Sequence, residues 1–91
     1  MNREAVLKLM NELANELALG QSKQERNRYF KIGEAIANET INQANYYAVI
    51  RKWCKNITSD SAIKSWQSIA DHVYTAVYEQ RRVKSYNVVY G

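Results

Sequence analysis

The sequence of 91 residues contains no proline, three glycines, one cysteine and one histidine. Without proline and with so little glycine, the chain is suited to helices joined by short turns, and its apolar content argues against disorder. The lone Cys54 excludes an internal disulfide and fits a reducing compartment. A metal site needs three or four suitable ligands, and Cys54 and His72 are single residues of their kinds, so we expect neither a metal nor a cofactor.

Motifs of catalysis are also missing. A cysteine nucleophile would require the fold to place His72 beside Cys54 and a low thiol pKa. A buried thiol and a packed or half-exposed imidazole are the simpler interpretation of these two residues. No glycine-rich phosphate loop is present, because Gly20, Gly33 and Gly91 stand alone. We therefore expect a non-enzymatic protein that acts by binding.

Long hydrophobic runs are absent as well. No apolar run approaches the roughly 20 residues needed to span a bilayer. Glu4, Lys8 and Glu12 interrupt the apolar positions near the N-terminus, which does not fit a signal peptide. We therefore expect a cytoplasmic protein that makes no contact with a membrane.

The net charge of +4 is unevenly distributed along the chain. Residues 1–20 carry −1, residues 21–58 carry +4 and residues 59–91 carry +1. The basic middle suggests an anionic partner, although +4 is modest and solvated charge on helix faces is the alternative.

Apolar periodicity predicts an all-α, single-domain bundle of four helices over residues 1–84, followed by an extended or flexible tail at 85–91. The predicted helices cover residues 2–19, 22–37, 41–55 and 61–84. In the tail, tyrosine and valine favour extended chain.

The first predicted helix has the most regular apolar stripe, with spacings of 4, 3 and 4. Its members are Val6, Met10, Leu13 and Leu17. Gly20 suits the position just past the helix end, and Glu12 and Glu16 are expected to face water. The stripe is interpreted as bundle core, with homodimerisation through it as the alternative.

A turn at residues 38–40 is predicted between the second and third helices. Ser22 with Glu25, and Thr40 with Gln43, each form a capping box that marks a helix start. One continuous helix, giving a three-helix bundle, keeps a usable apolar phase, but typical helix lengths favour the break.

Gly33 lies within the inward stripe of the second helix. That stripe also contains Tyr29, Ile32, Ile36 and Thr40. A glycine in a helix interior costs about 1 kcal/mol relative to alanine. We therefore predict that another helix crosses closely at Gly33, because close packing there would offset this cost.

The last predicted helix is the longest. Thr58, Ser59 or Asp60 can each provide its N-terminal cap. Its final turns hold cations, which suit the negative end of a helix dipole. These cations are Arg81, Arg82 and Lys84.

The first functional interpretation is a regulatory or inhibitory protein–protein interaction module. Seven tyrosines and two tryptophans are many for this length, and tyrosine, tryptophan and arginine are common interface anchors. Two rows at helical spacing combine these types, and they give the candidate residues Tyr74, Tyr78, Arg81, Arg82, Tyr47, Arg51 and Lys55. The alternative is that the tyrosines edge the core and turn their hydroxyls to water. The composition is in keeping with a regulatory protein of bacterial or phage type.

The second interpretation is a DNA-binding regulator with a helix-turn-helix-like pair at residues 23–37 and 41–55. Asparagine and glutamine bind adenine edges, and arginine and lysine bind guanine or phosphate. The candidate residues are Arg28, Lys31, Asn42, Gln43, Asn45, Arg51, Lys52 and Lys55. Against it, the turn lacks glycine and Ile41 stands where a small residue is expected. DNA binding also requires the basic residues of this set to converge on one surface.

Overall fold

The computed structural model describes residues 2–16 and 23–81. This part of the chain forms four helices and no strand, so the predicted all-α fold is confirmed. The helices are α1 (Arg3–Glu16), α2 (Lys23–Ala37), α3 (Tyr46–Trp53) and α4 (Asp60–Val77). The predicted caps at Gly20 and Ser22, and the tail at 85–91, lie outside the described residues.

The core lies between α1, α2 and α4, and α3 packs mainly on α4. The larger apolar side chains that lose all or nearly all contact with water are Val6, Met10, Leu13, Tyr29, Ile32, Tyr46, Ile69 and Val73. Val6, Met10 and Leu13 of the predicted stripe are therefore core, as predicted, and Leu17 lies outside the described residues. Thr40, predicted to point inward, is exposed because it follows the end of α2.

The crossing of α1 over α2 is close at Gly33. A Cβ atom built on Gly33 would lie 2.5 Å from Cγ of Met10 and 3.3 Å from Cγ1 of Val6. Both distances are shorter than ordinary carbon–carbon contacts. The prediction that a helix crosses closely at this glycine is confirmed.

The break after α2 is also confirmed. The N–H of Thr40 donates to the carbonyl of Ala35 at 2.9 Å, and the N–H of Glu39 donates to that of Ile36 at 3.1 Å. This is the hydrogen-bond pattern of a Schellman motif. Glu39 takes the left-handed position with φ of 61°, which a glycine usually occupies and which costs other residues about 1 kcal/mol.

The start of α3 was predicted wrongly. The helix begins at Tyr46 rather than at residue 41. The reason is a reciprocal pair in which each backbone N–H of Asn42 and Asn45 donates to the other residue's Oδ1, at 2.7 and 3.0 Å. Such side-chain bonds compete with helical backbone bonds. The capping pattern therefore falls on these two asparagines and not on Thr40 and Gln43.

The start of α4 is capped by Ser59, one of the predicted caps, which accepts a hydrogen bond from the N–H of Ala62 at 3.4 Å.

The end of α4 was predicted wrongly. The helix stops at Val77 instead of continuing to residue 84. The chain turns away because Gln80 takes a positive φ of 55° and the N–H of Arg81 donates to the carbonyl of Thr75. Arg81 therefore lies beyond the helix, and Arg82 and Lys84 lie outside the described residues.

Candidate functional site

Helices α3 and α4, with the residue that directly follows α4, bring four tyrosines together. We call them the tyrosine cluster: Tyr46, Tyr47, Tyr74 and Tyr78. The ring centroids of Tyr47 and Tyr74 are 5.1 Å apart, and those of Tyr74 and Tyr78 are also 5.1 Å apart. The ring of Tyr46 lies 5.0 to 5.6 Å from each of the other three. These separations are typical of favourable aromatic pairs. The tyrosines of the two predicted rows therefore form one continuous surface.

Three of the four hydroxyl groups of this cluster form hydrogen bonds within the protein. The hydroxyl of Tyr46 donates to the carbonyl of Ala70 at 2.6 Å, and that of Tyr47 donates to the carboxylate of Asp71 at 2.7 Å. Gln43 donates to the hydroxyl of Tyr74 at 3.3 Å. These bonds, together with the ring contacts, fix the orientation of the cluster.

The four rings differ in burial. Tyr46 is fully buried and anchors the cluster in the core, whereas Tyr47 is 38% exposed. Burial raises the pKa of Tyr46 well above its usual value, and the neighbouring Tyr47 raises it further. Burial also raises the pKa of Tyr78. Tyr46 was not predicted as a protein-binding residue, because adjacent residues on a helix point in different directions and helical spacing does not join it to the row of Tyr47.

A groove beside the tyrosine cluster runs between α3 and α4 and encloses about 550 Å³. We call it the α3–α4 groove. It is lined by Tyr47, Ile50, Arg51, Cys54, Ile63, Trp66, Gln67, Ala70 and Asp71. The lining is mainly apolar, with Arg51 contributed by α3 and Asp71 by α4. Volume and composition both lie in the range of protein sites that bind a ligand or a side chain of a partner.

Cys54 is a half-buried free thiol in the lining of this groove. Burial raises its pKa, and the positive charges of Arg28 and Lys31 act in the opposite direction without cancelling the effect. The thiol is therefore mostly protonated near neutral pH, which is the opposite of an activated nucleophile.

The basic residues predicted for DNA binding divide into two groups. Arg28 and Lys31 lie over the tryptophan pair Trp53 and Trp66, with the ammonium of Lys31 4.7 Å from the ring centroid of Trp53. Arg28 also donates to the hydroxyl of Ser65 at 2.6 Å. The remaining predicted residues all belong to the exposed side of α3 or directly follow it; they are Arg51, Lys52 and Lys55.

The amide side chains predicted to read bases form hydrogen bonds to other residues of the protein. Asn42 and Asn45 bond each other's backbone, and the amide of Asn45 also donates to the carbonyl of Thr40 at 3.2 Å. Gln43 contacts Tyr74, as described above. All three precede α3, which packs mainly on α4 rather than on α2. These positions differ from the recognition helix of a helix-turn-helix pair, in which the two helices contact each other directly.

A buried histidine joins three helices on the other side of α4. His72 is 1% exposed; its Nδ1 lies 2.8 Å from the hydroxyl of Tyr29, and its Nε2 lies 3.2 Å from the carboxylate of Glu16. The side chain of Glu16 is 24% exposed, so its predicted water-facing position is wrong. No sequence spacing connects these three residues, which belong to α1, α2 and α4.

Two candidate residues remain, of which Arg81 lies beyond the end of α4. Arg81 donates to the carboxylate of Glu79 at 2.7 Å, and Arg82 lies outside the described residues. Within residues 2–16 and 23–81, no group of three histidine, cysteine or acidic residues is placed to hold a metal ion. No helix in the same ranges is both long enough and apolar enough to cross a bilayer.

The chain was compared with protein families, curated proteins and solved structures. No protein-family model matches the chain, and no curated protein or solved structure is significantly similar to it.

Proposed function

We propose that this protein is a non-enzymatic protein–protein interaction module that regulates or inhibits its partner. The partner would bind across the tyrosine cluster and the adjoining α3–α4 groove. The observation that carries the proposal is the single cluster formed by tyrosines from both predicted rows, with one edge exposed at Tyr47. Rigid aromatic side chains beside an apolar groove are the usual anchors of protein interfaces.

The fixed geometry of the cluster supports this proposal. Association must offset the entropy lost when side chains are immobilised, which amounts to about 0.5–1.5 kcal/mol for each flexible side chain. Here the hydroxyls of Tyr46, Tyr47 and Tyr74 already have protein partners. The cluster would therefore lose little conformational freedom when a partner binds.

The positions of the polar side chains favour a protein partner over DNA. Asn42 and Asn45 use their amides to hold the turn before α3. A groove with an apolar floor is better suited to a side chain of a protein than to a nucleic-acid backbone.

A displayed library of random peptides of about 15 residues, the length of a short docking helix, tests the proposal. Selected peptides would be mapped onto the isotope-labelled protein by chemical-shift changes. Arg51→Glu and Lys52→Glu form a matched pair, since both exchange an exposed cation on α3 for an anion. Of the two, Arg51 lines the groove and Lys52 does not.

We expect selected peptides to shift the signals of Tyr47 and Trp66 and to bind Arg51→Glu much more weakly than Lys52→Glu. Peptides that map consistently to another face would overturn the proposal. Duplex DNA provides the competing result, measured by fluorescence anisotropy at about 50 and 200 mM salt. Tight binding to DNA with a steep loss at high salt, equally weakened by both variants, would favour the DNA-binding alternative.

A further inference from the structure

The side of the groove that α3 forms carries only positive charge. Residues 40–59 contain Arg51, Lys52 and Lys55 and no acidic residue. Arg51 lines the groove, and within the described residues its guanidinium has no hydrogen-bond or ion-pair partner. An arginine offers five N–H donors in a planar fork that matches a carboxylate. Arg51 is therefore available to a partner.

The surroundings of the groove strengthen this positive charge. Arg28 and Lys31 of α2 act electrostatically on Cys54 in the groove lining. Asp71 supplies the acidic charge of the lining, and it accepts a hydrogen bond from the hydroxyl of Tyr47. Arg51 and Asp71 thus contribute one charge of each sign to the lining, and Arg28 and Lys31 add positive charge nearby, which suits complementary negative charge on a partner.

The floor of the groove sets a second requirement. Ile50 of α3 and Trp66 and Ala70 of α4 form the nearly buried apolar base of the groove, and the half-buried Ile63 of α4 lies beside them. A partner that carried charge alone would leave this surface without apolar contacts. A large apolar side chain that enters the groove would fill it, as the anchor residues of an amphipathic helix do in a helical groove.

We propose that the α3–α4 groove binds an acidic amphipathic helix of a partner protein. A large apolar side chain of that helix enters the groove. A carboxylate of the same helix, one helical turn from that side chain, pairs with Arg51. This inference rests on the proposed function and specifies the chemistry of the partner at the same surface.

Two synthetic peptides of about 15 residues test the charge requirement. Both carry the same leucine and tryptophan anchors on one helical face; one has glutamates at the flanking positions, and the other has lysines there. Affinities would be measured by fluorescence anisotropy, and binding sites by chemical-shift changes. The proteins are the full chain and its Arg51→Glu and Lys52→Glu variants, whose exposed substitutions leave the core unchanged.

We expect the acidic peptide to bind the groove at least about tenfold more tightly than the basic peptide. Arg51→Glu should weaken the acidic peptide about tenfold or more and improve the basic one, whereas Lys52→Glu should change either by less than about threefold. Equal affinities for the two peptides, or equal effects of the two variants, would overturn the inference.

The outcomes separate this inference from the proposed function. If library peptides bind the groove and the acidic peptide does not, the acidic partner is wrong and the protein-binding surface stands. If neither kind of peptide shifts the groove signals, both are wrong. Displacement of the acidic peptide from the groove by a short DNA duplex would identify a nucleic-acid site and overturn the inference as well.

Discussion

Replacing Gly33 by alanine tests the close crossing of α1 and α2 on which the core is built. Two effects oppose each other. Alanine gains about 1 kcal/mol of helix propensity over glycine. Its Cβ, however, would lie 2.5 Å from Cγ of the fully buried Met10, and overpacking of a core costs about 1–3 kcal/mol. We expect Gly33→Ala to destabilise the protein by about 1 kcal/mol.

Urea unfolding followed by circular dichroism measures this change, and a second background isolates the contact. Met10→Ala removes the overlapping Cγ, at a cost of about 2–5 kcal/mol for the cavity. In that background Gly33→Ala should stabilise the protein by about 1 kcal/mol, because helix propensity acts without the clash. The two substitutions should therefore be coupled by about 2 kcal/mol in this cycle.

Asn27→Ala is the control for helix propensity, since Asn27 is exposed on the same helix. It should stabilise the protein by about 0.5 kcal/mol in both backgrounds. The packing argument would be refuted if Gly33→Ala were stabilising in the wild-type background, or if its effect were the same with and without Met10.

Two further predictions concern the titration of buried groups. Because burial raises the pKa of Tyr46 above its usual 10.0, its contribution to stability is fully present below about pH 10 and is lost as pH rises above that value, by about 1.4 kcal/mol per pH unit. Urea unfolding at about pH 9 to 11 should show this slope in the wild type and a shallower one in Tyr46→Phe. Because burial also raises the pKa of Cys54, iodoacetamide should alkylate it more slowly than a free model thiol near neutral pH, and Lys31→Gln, which removes a charge that favours the thiolate, should slow the reaction further.

Each of these predictions has a clear contradiction. Parallel slopes for the wild type and Tyr46→Phe would mean that Tyr46 releases its proton as easily in the folded protein as in the unfolded chain. Alkylation of Cys54 at or above the rate of the model thiol would mean that the nearby cations outweigh burial. A peptide seated in the α3–α4 groove should additionally protect Cys54, which lines it.

The helices and their core faces could be read from the sequence because both depend on local spacing. Val6, Met10 and Leu13 follow the helical period, and all are buried. The errors lie at helix ends, where side chains compete with the backbone for hydrogen bonds. The reciprocal bonds of Asn42 and Asn45 delay the start of α3, and the positive φ of Gln80 accompanies the early end of α4.

The sequence by itself determined the helical class and the two rows that contain tyrosine, since each follows from residues within a few positions of one another. It favoured the break after α2 over one continuous helix. Only the tertiary structure decided that Tyr47 and Tyr74 contact each other in one cluster, that Arg51 lines an apolar groove, and that Glu16 reaches His72. These pairs are far apart in the chain, and their contacts depend on how the helices cross. Crossing geometry arises from the packing of whole helix faces, which no local spacing specifies.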